Sequence, residues 1–171
     1  MKKIFLLCLV CVLVLCSCGE PSYSSLQLAE KIQQEFPTLV FSGNHYNSKA
    51  HMGEASYMTS RLQSLLYDEG RMRLLPEFET VVDYAVWMGQ GLQGGEVHIF
   101  RLQNTGDVRS MENLLSRRVT LLKRRSLYLF APDVYESRLA SAMVTSVGNY
   151  VLLLATDQNE EVLSYITKLV S

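Results

Sequence analysis

The 171-residue sequence predicts an α+β protein of two layers, in which amphipathic helices cover one face of an antiparallel sheet of about four strands. Two observations support this prediction. From residue 81 onwards, strand-like apolar segments occur in pairs joined by glycine-containing connections, which is typical of β-hairpins. Longer segments with apolar residues at helical spacing separate and follow these pairs. Two helices of this kind are enough to cover one face of a small sheet.

The N-terminal part of the predicted domain contributes two helices. The first covers residues 24–36, and Ser24 with Gln27 has the spacing of a capping box at its start. Residues 42–53 are polar and rich in turn-forming residues, so we expect a loop there. The second helix covers residues 54–67, with apolar side chains along one side.

The predicted strands form two hairpins. Their four segments are residues 81–88, 96–102, 142–147 and 150–156. Gly148 and Asn149 join the second pair, and a two-residue loop with glycine first indicates a type II′ turn. The last strand is apolar at successive positions, as expected for a strand in the centre of a sheet.

Two longer helices alternate with these hairpins. The first covers residues 107–125 and carries a continuous apolar stripe. The second begins at Asp157, which has the capping-box spacing with Glu160. A short additional helix is predicted over residues 134–139.

The first twenty residues have the three parts of an export signal. Lys2 and Lys3 give a positive start, and an apolar run from residue 4 to residue 15 follows. The ending resembles the lipobox of bacterial lipoproteins, with Ser17 directly before Cys18. The alternatives are an ordinary secretory peptide and, least favoured by the short apolar run, a permanent membrane helix.

The lipobox resemblance implies a domain organisation and a location. Residues 1–17 would be a lipoprotein signal peptide, residues 18–23 a short tether, and residues 24–171 a single α+β domain. Cleavage would leave a diacylglycerol thioether on Cys18 as the site of lipid attachment. We therefore expect a lipid-anchored protein on the extracytoplasmic side of the cell membrane.

Composition excludes several classes of function for the mature chain. All cysteines except Cys18 lie before the cleavage site, so no disulfide, zinc knuckle or cysteine nucleophile is expected. Loss of Lys2 and Lys3 leaves 14 basic and 17 acidic residues, a net charge of −3. That balance gives no general attraction to nucleic acid.

The C-terminal two thirds of the chain resemble a known but uncharacterised family. The features that carry the resemblance are the strand EVHIF at 96–100, the arginine at 118, the segment YLFAPDVY at 128–135 and the hairpin AMVTSVGNYV at 142–151. Over roughly residues 67–169 the chain resembles domain-of-unknown-function family 4358 of small bacterial lipoproteins. The basic run at residues 123–125 departs from the family pattern. The family has no established activity, so the resemblance implies a fold and a location only.

No motif in the sequence predicts a catalytic, metal or cofactor site. His45 and His51 lie in the polar loop and are expected to be solvated. His98 lies in a strand and is expected to be a packed or edge histidine rather than a catalytic base. Asp83 is expected to face solvent from an open sheet face, with a buried functional carboxylate as the alternative. Residues 89–95 match the glycine spacing of a dinucleotide-binding loop, but a strand follows where that motif requires a helix.

Basic residues concentrate in and before the longest helix. Residues 101–125 contain seven basic side chains and two acidic ones. Four of the basic side chains are predicted to point away from the apolar stripe: Arg109, Arg117, Lys123 and Arg124. They form a candidate surface for anionic lipid, a wall polymer or an acidic partner. The alternative is an ordinary solvated helix face. Arg118 borders the stripe and is expected to snorkel, with an ion pair as the alternative.

The sequence thus favours a non-catalytic binding or scaffolding module at the outer face of the cytoplasmic membrane. The alternative is a cell-envelope hydrolase whose site is assembled from distant residues. The lack of cysteine, serine or metal motifs favours the first interpretation.

Replacement of Cys18 tests the lipid anchor. We expect Cys18→Ser to move the protein from the detergent phase to the aqueous phase, because each buried CH₂ of an acyl chain contributes about 0.8 kcal/mol. Phase partition followed by immunoblotting measures this. Cys16→Ser is the matched control and should remain in the detergent phase. Equal partitioning of Cys18→Ser and wild type would contradict the lipobox interpretation.

Overall fold

The computed structural model describes residues 23–90, 95–128 and 138–170, with side chains described to residue 124 in the second range. The predicted signal peptide, the predicted lipid attachment residue Cys18 and most of the predicted short helix at 134–139 lie outside these residues. The helices and strands are α1 (Ser25–Glu35), β1 (His45–Asn47), α2 (Ser60–Tyr67), β2 (Val81–Met88), β3 (Glu96–Leu102), α3 (Val108–Tyr128), β4 (Met143–Val147), β5 (Tyr150–Ala155) and α4 (Asn159–Val170).

The strands form one antiparallel sheet in the order β1-β2-β3-β5-β4. The α+β class and both predicted hairpins are confirmed. The sheet has five strands instead of about four, because residues 45–47 of the predicted loop pair with β2 as an additional edge strand. Gly148 has a φ of 59°, as a type II′ turn requires at its first central residue.

Helices cover both faces of the sheet, so the predicted two-layer arrangement is wrong on this point. α2 and α3 pack on one face around Phe100 and Leu153, and this cluster is called the α3-side core. α1 and α4 pack on the other face around Ile99 and Leu152, which form the α1-side core. The central strands β3 and β5 are apolar on both faces, and burial of both faces requires helices on both sides.

The helix boundaries show which sequence signals predicted the start of a helix correctly. The predicted capping box at α1 is confirmed, since Ser24 and Gln27 exchange side-chain and backbone hydrogen bonds. α2 begins six residues later than predicted, where the Thr59 side chain accepts from the Leu62 backbone N–H. α4 begins at Asn159, so Asp157 lies two residues before the helix instead of directly at its start, and its carboxylate pairs with Arg138.

The described helices include none long and apolar enough to cross a membrane.

Gly43 allows the chain to approach the end of β2 closely. Its backbone N–H donates to the Met88 carbonyl at 2.9 Å, and the Met88 N–H donates to the Asn44 carbonyl at 3.1 Å. A Cβ at position 43 would lie 2.6 Å from the Gly89 carbonyl oxygen and 2.7 Å from that of Met88. Both obstacles are backbone atoms, so the edge strand β1 depends on a glycine here.

Gly43→Ala tests this dependence. We expect the free energy of unfolding to fall by about 1–3 kcal/mol, because the added methyl group forces the backbone apart. Gly106→Ala is the matched control, since a Cβ there meets nothing within 4 Å. It should change stability by less than about 0.5 kcal/mol. Urea unfolding monitored by circular dichroism measures both, and equal stability of the two variants would contradict the close approach.

Candidate functional site

A buried ion pair joins the sheet to α3 in the α3-side core. Glu96 begins β3, and the Arg118 guanidinium donates to its carboxylate through Nη2 at 2.6 Å and Nε at 3.1 Å. Arg118 Nη2 also lies 3.8 Å from Met88 Sδ. The Arg118 side chain is 5% exposed, so the expectation that it snorkels is wrong and the alternative ion pair is correct. The forked geometry satisfies both carboxylate oxygens.

His98 and Tyr67 extend this ion pair into the core. His98 Nε2 lies 3.1 Å from Glu96 Oε2, although the ring orientation does not give a well-formed hydrogen bond. On the other side of the ring, Nδ1 lies 2.9 Å from the Tyr67 hydroxyl. An ionised Glu96 can only accept, so Nε2 carries the proton and Nδ1 accepts from Tyr67. The prediction that His98 packs within the sheet is confirmed.

Burial and charge set the protonation states of this network. Burial alone would raise the pKa of Glu96, but Arg118 and His98 together lower it to about 2. Burial lowers the pKa of His98 below 6.5 despite the neighbouring carboxylate. Burial also raises the pKa of the Tyr67 hydroxyl well above 10. At neutral pH the network therefore holds one ion pair, a neutral imidazole and a neutral phenol.

On the opposite face of the sheet, Asp83 forms an ion pair with Arg101 and a hydrogen bond with the start of α1. Asp83 Oδ2 accepts from Arg101 Nε at 2.7 Å, and its Oδ1 accepts from the Ser25 backbone N–H at 2.7 Å. Asp83 is 8% exposed, so the expectation that it faces solvent is wrong. The sheet face is covered by α1, and the carboxylate satisfies a backbone N–H at the start of that helix. Both buried acids thus serve as attachments between layers.

The candidate basic surface is less positive than its sequence suggests. Arg117 donates to Glu77 at 2.9 Å and Arg124 donates to Glu69 at 2.8 Å, so two of the four predicted residues already have carboxylate partners. Glu77 and Glu69 lie 40 and 55 residues from their arginine partners in the sequence. The charge count over residues 101–125 therefore did not include them. Arg109 and Lys123 lie on the exposed side of α3, as predicted.

The structure adds two arginines that the sequence reasoning missed. Arg71 and Arg73, in the loop after α2, join Arg117 and Arg124 around a cavity of about 250 Å³. We call this site the arginine cavity. Its remaining lining residues are Tyr67, Asp68, Glu69, Thr120 and Leu121. The local run Arg-Met-Arg at 71–73 was the available signal, but its proximity to α3 depends on packing.

The loop between α2 and β2 is held by several hydrogen bonds of its own. Arg73 forms a fork to Asp68 at 2.5 and 2.9 Å, and this bond lowers the pKa of the Asp68 carboxyl. The buried Ser64 hydroxyl accepts from the Met72 backbone N–H at 2.9 Å. Glu69 and Met72 both have φ of 57°, which is costly for residues with a side chain. Strained but well-bonded loops of this kind are typical of functional surfaces.

The remaining candidate residues give no catalytic arrangement. His45 stacks on Trp87 with ring centroids 4.7 Å apart, so it is not the solvated loop residue that was expected. His51 is exposed, and its backbone N–H bonds to Glu54 at 3.1 Å. Among the described residues no group of three potential metal ligands converges. A strand begins at Glu96 after the glycine-rich connection, which confirms that no helix follows there.

A larger cavity of about 590 Å³ lies beside the sheet edge near Phe41 and Thr156. The ion pair between Arg138 and Asp157 lies at its wall. The two charged side chains that line this larger cavity neutralise each other in an ion pair. The arginine cavity is therefore the stronger candidate for binding a charged ligand.

No protein-family model, no curated protein and no solved structure matches this chain. The resemblance to the lipoprotein family therefore stays a prediction, and the case for a function depends on the geometry of the described residues.

The buried His98 should make stability depend on pH. Its pKa is lowered by folding, so the unfolded chain binds more protons below pH 6.5 and the free energy of unfolding falls as pH decreases through that value. One such proton contributes at most ~1.4 kcal/mol per pH unit. We expect His98→Gln to lower stability overall but to flatten the profile between pH 7 and pH 5. Urea unfolding across this range measures the slope.

His51→Gln is the control for this experiment, because it removes an exposed histidine and leaves the buried one in place. Glu96 contributes mainly below this range, since the stability from its lowered pKa is lost as the pH falls from about 4.5 to about 2. A His98→Gln protein with the wild-type slope would show that His98 is not the titrating group.

Proposed function

We propose that this chain is a lipid-anchored extracytoplasmic binding module without catalytic activity, held at the outer face of the cytoplasmic membrane through Cys18. The tripartite leader and its lipobox-like ending support the anchor. The exposed basic side of α3, together with the arginine cavity, supports an anionic ligand.

The point where the chain enters the domain determines which face of the domain lies next to the bilayer in this proposal. The described chain starts at Tyr23, whose carbonyl accepts from the Tyr150 hydroxyl in the α1-side core. The tether from residue 18 to residue 22 reaches at most about 18 Å. Two helix layers and one sheet together are about 30 Å thick. The basic side of α3 therefore faces away from the anchoring bilayer.

This geometry favours a wall polymer or another protein over membrane lipid as the partner of the basic side of α3. Lipid headgroups of the anchoring membrane lie on the α1 side of the domain. A wall polymer or the acidic surface of another extracytoplasmic protein can approach the α3 side freely. The ligand we propose is therefore an anionic group on such a polymer or protein.

The burial of His98 argues against the hydrolase alternative. Tyr67, His98 and Glu96 lie in a series of residue types that hydrolases use, with a hydrogen bond between Tyr67 and His98 and a 3.1 Å contact between His98 and Glu96. However, the His98 side chain is 0% exposed, so no substrate can reach either ring nitrogen. The series connects the layers of the fold, and we assign it a structural role.

Site-specific photo-crosslinking in cells tests this orientation. We expect a crosslinker at position 120, exposed on α3, to capture a partner other than phospholipid. The same crosslinker at position 30, exposed on α1, should give phospholipid adducts, because that face lies next to the bilayer. Mass spectrometry of the adducts measures both.

Cys18→Ser provides the control for the crosslinking experiment. Without the anchor, phospholipid adducts at position 30 should disappear. Phospholipid adducts at position 120 as frequent as those at position 30 would contradict the proposed orientation and with it the proposed class of partner.

A further inference from the structure

The arginine cavity has a net positive charge even after its internal ion pairs are counted. Four guanidinium groups line it, and Asp68 and Glu69 are its acidic lining residues. Glu77, which pairs with Arg117, lowers the sum to +1. The ion pairs occupy only one or two of the five N–H donors of each guanidinium. Many donors are therefore left for a ligand with several acceptor oxygens.

Glu69 bridges two of these arginines in the manner of a bound oxyanion. Its Oε1 accepts from Arg124 at 2.8 Å and its Oε2 accepts from Arg71 at 3.3 Å. The two arginines come from different elements, α3 and the loop after α2, so the carboxylate holds the two sides of the cavity together. Glu69 directly follows Asp68, the C-cap of α2, and its backbone φ is 57°.

Asp68 and Glu69 differ in how easily they can be displaced. The Asp68 side chain is 5% exposed and is held by the fork from Arg73. The Glu69 side chain is 40% exposed and forms single bonds to side chains that are themselves more than half exposed. Exposed ion pairs of this kind are weak. Glu69 can therefore rotate into solvent while Asp68 stays in place.

We propose that the arginine cavity binds a phosphoryl group and that the Glu69 carboxylate competes with it for Arg71 and Arg124. This inference rests on the binding function proposed above and names its ligand. When Glu69 rotates out, four arginines face Asp68 and Glu77, a net charge of +2. A phosphomonoester carries about −1.5 to −2 at neutral pH and three acceptor oxygens, whereas a carboxylate carries one charge and two oxygens.

Titration with inorganic phosphate tests the site directly. The chain without residues 1–18 is suitable, because it keeps every residue of both hydrophobic cores. We expect phosphate at low salt to shift the ¹⁵Nε signals of Arg71 and Arg124 in NMR spectra. Sodium acetate at equal ionic strength should shift them less. Glycerol 3-phosphate and vesicles containing phosphatidic acid then distinguish a soluble phosphoryl ligand from a lipid headgroup.

Removal of the competing carboxylate should strengthen binding. We expect Glu69→Gln to bind phosphate about threefold to tenfold more tightly, because two exposed ion pairs no longer have to be broken. Arg124→Gln should weaken binding by a similar factor. Glu30→Gln and Arg61→Gln are the matched controls, since both residues are exposed on helices outside the cavity. Both should bind phosphate as the wild type does.

Three results would overturn the proposal. The first is an absence of shifts at the cavity arginines with phosphate. The second is equal phosphate affinity of Glu69→Gln and wild type. The third is equal weakening by Arg61→Gln and Arg124→Gln, which would show only general screening. A protein that still crosslinks to a partner at position 120 but does not bind phosphate would keep the binding function and refute this site.

Discussion

The ion pair between Glu96 and Arg118 is the interaction on which the rest of the structure depends. It joins the first residue of β3, near the centre of the sheet, to the middle of α3 with both carboxylate oxygens bonded. A buried charge that lost its partner would be strongly destabilising, so this pair fixes the position of α3 on the sheet. The helix position in turn sets the distance between Arg117, Arg124 and the loop after α2. The arginine cavity is thus a consequence of a structural ion pair.

On the opposite face of the sheet, a different acidic side chain also connects a strand to a helix. Asp83 and Arg101 lie on adjacent strands, and Asp83 also accepts a backbone N–H at the start of α1. One buried acid on each face therefore connects a strand to a helix. Such pairs contribute less to stability than well-packed apolar side chains would, but they specify one position of the helix.

The ion pairs of this protein are of two kinds: buried pairs hold the fold together, and exposed pairs can be reached by a ligand. The side chains of Glu96 and Asp83 are only 12% and 11% exposed, and those of their partners Arg118 and Arg101 are 5% and 21% exposed. Burial lowers the pKa of His98, which is neutral beside Glu96. Glu69 and its arginines are exposed, weakly held and placed on a strained loop. Water and ligands compete with the second kind of pair and not with the first. The chemistry available to a partner therefore lies at the arginine cavity.

The sequence by itself determined the elements that depend on local geometry. The capping box of α1, the bounds of β2 and β3 and the glycine turn before β5 follow from residues within a few positions of each other. Only the tertiary structure decided that both sheet faces are covered and that β1 exists as a strand. It also decided the partners of the charged side chains. Glu96 meets Arg118 across 22 residues and Glu69 meets Arg124 across 55. Periodicity reports which side of an element is apolar, but the surface that packs against it, and the charges this brings together, are set by the packing of distant segments.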